Sequence, residues 1–421
     1  MDIIFVLAIL FLPFDNLFFA PSNGWATISP MLFFVYVFFN FKYLKNEIKN
    51  YKTIFLFFSF FVIFTVFNFI FNGYNLSAFL DTLISFTMGF STLLALDIYF
   101  IKKKNDIKPI VKLIYIVYLI ALIIGIIEFI TIKLDISFFK DIFEILFKRN
   151  YLLINRIQYT FTEPSFIGMH IFGVLLPIYF ISKDKKILWL LISFIATALV
   201  FNSSVRFIVD VFVIIAILML IYFIKKKNYS TIVLLTIIFG LFISIAYYSN
   251  DRIKSIIDKG VYADNSLATR YFRIQASIYG YAEEPNKLLT GYGMGNSILP
   301  LRKGYYQALE KYKNNYLNEI ITLGKKDYYD ASVSYCLYIR LISEYGIIMF
   351  IAIMYVLLSK TKSSKFKYKY EILFVLLYLY LQFDSYAFYS IWLFIFIINN
   401  TNKLNGGTNE KIQSISNCTS L

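Results

Sequence analysis

Histidine, cysteine and charged residues are all scarce in this sequence. Its 421 residues include one histidine and two cysteines, Cys336 and Cys418, too few for a Cys/His metal site. The predicted topology separates the two cysteines too widely for a disulfide bond. Only 16% of the residues are charged and 59% are hydrophobic, whereas a soluble domain is about one quarter charged. The composition therefore excludes a water-soluble protein.

Long apolar runs, rich in Phe (47) and Tyr (35), take the place of the missing charge. Runs long enough to cross roughly 30 Å of hydrocarbon predict an all-α, polytopic membrane protein with about twelve transmembrane helices and no removable signal peptide. The predicted spans are 2–19, 28–41, 53–71, 77–100, 109–132, 165–182, 187–201, 205–224, 230–248, 333–358, 368–383 and 386–399. The last two are short enough to form one bent helix, because the polar segment 382–385 interrupts them.

The net charge of +15 lies in short islands between the apolar runs, which does not fit the continuous basic face of a nucleic-acid-binding protein. Lysines in short loops are retained in the cytoplasm during membrane insertion. The lysine-rich short loops alternate with lysine-free ones and lie at 42–52, 102–108, 183–186, 225–227 and 360–369. This pattern predicts that both termini are cytoplasmic. We treat residues 1–399 as one transmembrane domain and 400–421 as a polar cytoplasmic tail.

Two long segments, 133–164 and 249–332, are predicted on the opposite, outer side. In the first, Phe139, Ile142, Phe143 and Leu146 recur at the spacing of one helix face. They predict either an interfacial helix on the outer leaflet or a lid packed on the helix bundle. The second begins with the polar stretch 251–259, contains a glycine-rich turn at 291–295 and has a helix-like stretch at 305–323. It is long enough to fold over the outer face.

Arginine is confined to the predicted outer side, whereas the cytoplasmic islands contain only lysine. The eight arginines are Arg149, Arg156, Arg206, Arg252, Arg270, Arg273, Arg302 and Arg340. Because the planar guanidinium grips phosphate and carboxylate at two points and stays charged when poorly hydrated, each is a candidate anion site. We predict that Arg149, Arg252 and Arg302 bind lipid headgroups or pair with acids of the loops.

Three arginines are stronger candidates. Arg206 follows Ser203 and Ser204 in a turn so short that its side chain must lie at membrane depth, where an unpaired charge costs several kcal/mol. It needs either an anionic ligand or an acidic residue of a neighbouring span. Arg270 and Arg273 lie three residues apart and share a helix face, where their mutual repulsion would be relieved by a bound dianion such as pyrophosphate.

The remaining charged candidates have a structural and a functional interpretation. Arg340 stands four residues before Glu344, and we expect a local salt bridge between them. Glu163 precedes a proline at the start of a predicted span, where it either caps the helix or acts as a general base. His170 lies about two turns deeper on the same helical face, as a buried hydrogen-bonded histidine or a catalytic one.

Five short patches, in this order, resemble the bacterial oligosaccharide repeat-unit polymerases (O-antigen polymerase, Wzy-type), which are relatives of the O-antigen ligases. The patches are Thr162-Glu163-Pro164-Ser165 with Gly168, then Ser203, Ser204 and Arg206, then Arg270-Tyr271 with Arg273, then Gly291-Tyr292-Gly293-Met294-Gly295, and Glu344-Tyr345-Gly346. The predicted topology, with a large late outer loop, is similar as well. An arginine followed at a fixed interval by glycine, which describes some polymerases, has no clear counterpart in the two outer loops.

The resemblance implies a metal-independent, cofactor-free glycosyltransferase of the C-type membrane superfamily in the bacterial inner membrane. Such an enzyme transfers a growing glycan from undecaprenyl pyrophosphate to another lipid-linked repeat unit, building O-antigen or capsular polysaccharide. Arg206 and Arg270, with Arg273, would hold the departing pyrophosphate, and Glu163 would activate the acceptor hydroxyl. The wider substrate-binding set is Arg273, His170, Tyr271, Gly293, Arg340 and Glu344. A chain-length regulator protein is a further candidate partner, beside the lipid bilayer.

Two alternatives stay open, an O-antigen ligase and a flippase for lipid-linked sugars. The ligases use a histidine in an outer loop, and neither long loop here contains one. A flippase should carry charges deep within several spans and often two related halves. The arginines of this sequence lie on one side and no half-repeat is evident, so we favour a polymerase.

Overall fold

The computed structural model describes residues 2–15, 17–18, 28–44, 48–72, 75–149, 156–201, 204–227, 229–249, 251–312, 317–325 and 334–404. These residues form helices and irregular segments, and no strand occurs among them. The predicted all-α class is therefore confirmed. Cys336 is a buried free thiol, while Cys418 and most of the predicted tail lie outside the described residues.

Six helical segments are long and apolar enough to cross a membrane, as judged over the described part of the chain. They are Lys49–Ile70, Leu76–Lys102, Lys108–Lys133, Pro164–Ser182, Val205–Lys226 and Leu337–Ser363. Leu, Ile, Val and Phe dominate their sequences, because a helix that satisfies its own backbone hydrogen bonds can expose apolar side chains to lipid. The chain is a membrane protein, and the count of twelve spans stays a prediction.

Most predicted spans coincide with a helix. The helices of this region are α1 (Asp2–Leu10), α2 (Ser29–Asn40), α3 (Lys52–Asn72), α4 (Leu76–Lys102), α5 (Lys108–Lys133), α7 (Ile167–His170), a π-helical turn (Ile171–Leu175), α8 (Leu176–Ser182), α9 (Lys185–Val200), α10 (Val205–Lys226), α11 (Tyr229–Ser249), α18 (Leu337–Ser363), α19 (Lys369–Leu379) and α20 (Tyr389–Asn399). The first predicted span, 2–19, is too long, because α1 ends at Leu10.

The last two predicted spans form two separate helices rather than one bent helix. Helices α19 and α20 have 11 residues each. At 1.5 Å per residue each is about 16 Å long, roughly half the thickness of the hydrocarbon core. The irregular segment 380–388 joins them. Helix α18 is also interrupted, because Gly346 has φ +79° and breaks the helical backbone.

Loops that carry the predicted cytoplasmic lysines contact one another or the N-terminus. Lys103 Nζ lies 3.2 Å from Asp2 Oδ2. Lys183 Nζ lies 3.4 Å from the ring centroid of Tyr368, so that the islands 183–186 and 360–369 are adjacent. These contacts agree with the predicted grouping of the lysine loops. The orientation of the chain in a membrane stays a prediction.

The helix predicted in the first long loop is present as α6 (Ser137–Phe147). Phe143 and Phe147 are buried against Phe14, Leu17 and residues of α5, which agrees with a lid packed on the bundle. Phe138 and Ile145 remain 65% and 68% exposed, as an interfacial helix requires. The helix therefore has features of both predicted alternatives.

The second long loop contains a compact set of helices with its own core. They are α12 (Asp251–Lys259), α13 (Asn265–Glu283), α14 (Pro285–Thr290), α15 (Ile298–Lys303), α16 (Tyr305–Lys311) and α17 (Asn318–Leu323). Phe272, Leu301 and Tyr305 belong to its apolar cluster. The helix-like stretch predicted at 305–323 is split into α16 and α17, with 313–316 outside the described residues.

Candidate functional site

Arg206 lies in the first turn of α10 with its guanidinium buried. Its side chain is 9% exposed, and Nε lies 3.9 Å from Asp210 Oδ2, one helical turn away. Neither Nε nor Nη2 has a hydrogen-bond partner among the described residues. The acidic neighbour is thus on the same helix rather than on a neighbouring span, and its carboxylate is too distant to accept a hydrogen bond from Nε.

Asp210 is hydrogen-bonded by α19 and by the segment that follows it. Its Oδ1 accepts hydrogen bonds from Tyr378 Oη at 2.7 Å and Gln382 Nε2 at 3.1 Å. Gly168 makes room for it, because a Cβ there would lie 2.4 Å from Asp210 Oδ2. This aspartate was not among the residues predicted from the sequence. The i, i+4 spacing from Arg206, which we used for Arg340 and Glu344, is the signal that could have found it.

Glu163 and Arg270 approach Arg206 from other parts of the chain, and the charges of both act on its guanidinium. The three residues predicted as catalytic are therefore brought together. Glu163 is exposed and accepts a hydrogen bond from Ser165 Oγ at 2.7 Å. It stands at the N-cap position of the following helical turn, yet its side chain caps no backbone N–H group. The capping interpretation is not the one observed.

Arg270 and Arg273 share a face of α13 but have different surroundings. Arg273 is buried, and its Nη2 lies 2.6 Å from Glu319 Oε1 of α17. Arg270 is half-buried and forms no ion pair with a described carboxylate. Tyr271, which we predicted in the substrate site, is 42% exposed and its ring contacts Tyr262 within the outer helical set.

Tyr335, which the sequence did not single out, lies beside both arginines. Its ring centroid is 4.3 Å from Arg273 Cζ and 5.8 Å from Arg270 Cζ. Its backbone N–H donates to Asp384 Oδ2 at 3.0 Å, in the segment between α19 and α20. Tyr335 therefore connects α13 with the segment between α19 and α20. We call Glu163, Arg206, Arg270, Arg273 and Tyr335 the outer cluster.

The predicted salt bridge between Arg340 and Glu344 is confirmed, with Nε 3.0 Å from Oε1. Arg340 also donates from Nη1 to Asp384 O at 2.9 Å and from Nη2 to Thr82 Oγ1 at 3.0 Å. Glu344 Oε2 accepts from Tyr386 Oη at 3.0 Å. Both residues are buried and fully occupied by the protein, so a substrate could reach them only by replacing these contacts.

The glycine-rich turn packs against the break in α18. The N–H groups of Tyr292 and Gly293 donate to Ser343 O and Glu344 O, both at 2.8 Å. These carbonyls lose their helical partners because Gly346 interrupts the helix. The predicted tight turn is present, and protein surrounds it. Gly293, predicted in the substrate site, is buried against Asn68 of α3.

His170 is fully buried, away from solvent. Its Nε2 lies 2.8 Å from Asp15 Oδ2 and its Nδ1 lies 3.0 Å from Tyr118 Oη. Tyr389 Oη is within 3.3 Å of both nitrogens. Because the protein occupies both ring nitrogens, the buried hydrogen-bonded alternative describes this residue better than contact with a substrate.

Three of the other arginines have partners within the protein. Arg149 is buried, with Nε 3.5 Å from Glu128 Oε1 of α5, so the predicted headgroup or loop contact is wrong for it. Arg252 Nε donates to Asp264 Oδ2 at 2.7 Å, which confirms its pairing with a loop acid. Arg302 Nη2 donates to Lys325 O at 2.9 Å, a backbone oxygen rather than an acid.

No group of three or more His, Cys, Asp or Glu side chains is arranged to hold a metal ion in the described ranges. Metal independence stays a prediction. No protein-family model, curated protein or solved structure matches this chain. The helical bundle and the outer cluster define a membrane protein with a candidate anion site, and the function has to be argued from that geometry.

Proposed function

We propose that this protein is a membrane glycosyltransferase that polymerises undecaprenyl-pyrophosphate-linked oligosaccharide repeat units. The observation that carries the proposal is the buried guanidinium of Arg206, whose Nε and Nη2 lack hydrogen-bond partners among the described residues. Arg270 adds a second positive charge at the same place, and no described carboxylate pairs with it.

An anionic ligand would explain why neither arginine has a carboxylate within hydrogen-bonding distance among the described residues. Removing a charge from water costs several kcal/mol, which a distant aspartate compensates only in part. Guanidinium groups bind phosphate oxygens through two parallel hydrogen bonds. The two arginine charges match the charge of a pyrophosphate group. Arg273 would contribute through its positive charge and not by direct contact, since Glu319 already pairs with one edge of its guanidinium.

The carboxylate of Glu163 supplies a base next to this anion site. In the proposed reaction an acceptor hydroxyl oxygen attacks the anomeric carbon of the donor sugar and a new C–O bond forms. The bond between that carbon and the pyrophosphate oxygen breaks, and the pyrophosphate leaves with the electron pair. Glu163 accepts the hydroxyl proton, while Arg206 and Arg270 stabilise the developing negative charge.

The proposal includes the setting that the lysine distribution predicts. The outer cluster would face the periplasmic side of a bacterial inner membrane, with both termini in the cytoplasm. Donor and acceptor would both be lipid-linked glycans reached from the bilayer, and the product would be O-antigen or capsular polysaccharide. A chain-length regulator protein would be a further partner.

One set of observations favours a second candidate, a transporter of lipid-linked oligosaccharide. Glu128, Asp210 and Glu344 are buried within helices, and α18 is broken at Gly346. Buried charges and interrupted helices are features of transport pathways. The two candidates differ in the side of the membrane on which single lipid-linked repeats would accumulate when the protein is inactivated.

Chromosomal variants Arg206→Gln, Arg270→Gln and Glu163→Gln test the proposal, with Arg252→Gln as a control because Arg252 is paired with Asp264 on the outer helices. We expect the three variants to lose long polysaccharide while single lipid-linked repeats accumulate on the outer face. Arg252→Gln should retain normal chains. Repeats trapped on the cytoplasmic side would favour the transporter, and long chains left on their lipid carrier would favour a ligase.

A further inference from the structure

Tyr335 belongs to the outer cluster, although nothing in its sequence context marks it. Its ring centroid lies 4.3 Å from the guanidinium carbon of Arg273, and the charge of Glu163 acts on its side chain. The ring therefore lies near both the arginines and the proposed base. We propose that this ring is the surface on which the acceptor sugar stacks while Glu163 takes the proton from its hydroxyl. The inference rests on the proposed function and names a further residue of that site.

The backbone holds Tyr335 in a conformation that its own chemistry disfavours. Its φ of +50° lies in the left-handed region, which a bulky residue rarely adopts. Asp384 Oδ2 accepts the Tyr335 N–H at 3.0 Å, and the N–H of Leu337 is within 3.1 Å of Tyr380 O and Phe383 O. The segment between α19 and α20 thus fixes the backbone around Tyr335 and, with it, the position of the ring. Unfavourable backbone held by its surroundings is typical of functional positions.

The exposure of the ring separates it from the structural tyrosines nearby. Tyr335 is 38% exposed, whereas Tyr345 and Tyr386, which pack around the Arg340–Glu344 pair, are buried. A cation over one face of an aromatic ring is attracted by its negative π-surface, as the position of Arg273 indicates. The remaining accessible surface can receive the weakly positive C–H groups of a sugar ring by the same electrostatics.

The chemistry around the ring favours a sugar over a lipid chain. Arg270, Arg273, Glu163 and Glu319 all lie around it, and such charges would be costly to desolvate against a hydrocarbon chain. A sugar offers hydroxyl groups to these charges and C–H groups to the ring. The Tyr335 hydroxyl lies 3.4 Å from Glu319 Oε1, a long contact, so the ring rather than the hydroxyl should carry the binding.

The test measures binding of two probes to the full chain in lipid nanodiscs with EDTA present. One probe is undecaprenyl pyrophosphate, which carries no sugar, and the other is the lipid-linked oligosaccharide fraction extracted from a strain lacking this protein. The variants are Tyr335→Leu and Tyr335→Phe. Tyr306→Leu is the control, because Tyr306 is a 74% exposed tyrosine of α16 outside the cluster.

We expect Tyr335→Leu to weaken binding of the oligosaccharide probe about tenfold, because the variant loses the aromatic face on which the C–H groups of the sugar pack. Its affinity for undecaprenyl pyrophosphate should stay within about twofold of wild type, while Tyr335→Phe and Tyr306→Leu leave both affinities within that margin. Equal weakening of both probes by Tyr335→Leu would mean that the ring only supports Arg273, and would overturn the inference.

Two other outcomes separate the inference from the proposed function. If wild type binds undecaprenyl pyrophosphate and Tyr335→Leu changes neither affinity, the proposed function stands and the role of Tyr335 is refuted. If wild type binds neither probe, the proposed function fails and the inference fails with it.

Discussion

Two arginines of this protein have mostly buried side chains but differ in their hydrogen-bond partners. Arg340 donates from Nε, Nη1 and Nη2 to Glu344, Asp384 and Thr82. The Arg206 side chain is 9% exposed, against 2% for Arg340, and its Nε and Nη2 have no hydrogen-bond partner among the described residues, with Asp210 Oδ2 3.9 Å from Nε. The contacts of Arg340 join three parts of the bundle, whereas Arg206 lies within reach of the charges of Glu163 and Arg270.

We propose that this difference separates a buried charge that stabilises the fold from one that binds a ligand. A buried ion pair stabilises only when good geometry and further hydrogen bonds offset the loss of water, as around Arg340. At Arg206 that compensation is incomplete among the described residues. A bound anion would complete it.

The largest effect on stability is expected at the buried salt bridge between Arg340 and Glu344. Arg340→Met should lower the free energy of unfolding by about 3–5 kcal/mol, because it leaves the Glu344 carboxylate buried without its partner. Thermal unfolding of the detergent-purified protein measures this. The double variant Arg340→Met with Glu344→Gln is the control, since it removes the stranded charge and should recover part of the loss. If Arg340→Met were as stable as wild type, the salt bridge between Arg340 and Glu344 would not stabilise the helix bundle.

A smaller effect on stability is expected at Gly346, where α18 is interrupted two residues after Glu344. A Cβ at Gly346 would lie 2.1 Å from Leu289 O, and its φ of +79° is unfavourable for alanine. Gly346→Ala should cost about 1–3 kcal/mol. Gly240→Ala is the matched control, because no atom lies within 4 Å of a Cβ built there. In the same thermal assay Gly240→Ala should be neutral or stabilising, and equal losses in both variants would contradict the account of the break.

The smallest effect is expected at an exposed pair. The hydrogen bond from Lys303 lowers the pKa of Glu284, whose ordinary value is 4.5. A lowered folded pKa means that the stabilisation is present above pH 4.5 and is lost as the pH falls through the folded value. Because both side chains are more than a third exposed, Glu284→Gln should cost under about 1 kcal/mol near neutral pH. Unfolding curves at several pH values should converge with wild type in acid, and a constant difference would contradict this.

Composition and periodicity were sufficient for the class of the molecule and for most helices. Apolar runs located α3, α4, α5 and α10, because helices in lipid must be long and continuous. The same reasoning failed at α1, which ends at Leu10, and could not decide between one and two helices for α19 and α20. Where protein and not lipid surrounds the backbone, a helix can end at membrane depth, and run length no longer predicts its end.

The candidate site was predictable in part. The rarity of arginine pointed to Arg206 and Arg270, and the helix-start position pointed to Glu163. Tyr335 was not predictable, since its role depends on the segment 380–388 and on α13, which are distant from it in sequence. Asp210 was missed although its spacing from Arg206 was visible, because an acid within an apolar run carries no sign of what it faces.

The central claim is that Arg206 completes an anion site for lipid pyrophosphate, and one binding measurement tests it most directly. Undecaprenyl pyrophosphate is titrated into the full chain in nanodiscs with EDTA, using wild type, Arg206→Gln and Arg252→Gln. We predict binding by wild type and Arg252→Gln and a loss of about tenfold or more for Arg206→Gln, with a smaller fall in melting temperature than for Arg340→Met. Equal binding by all three proteins would contradict the account.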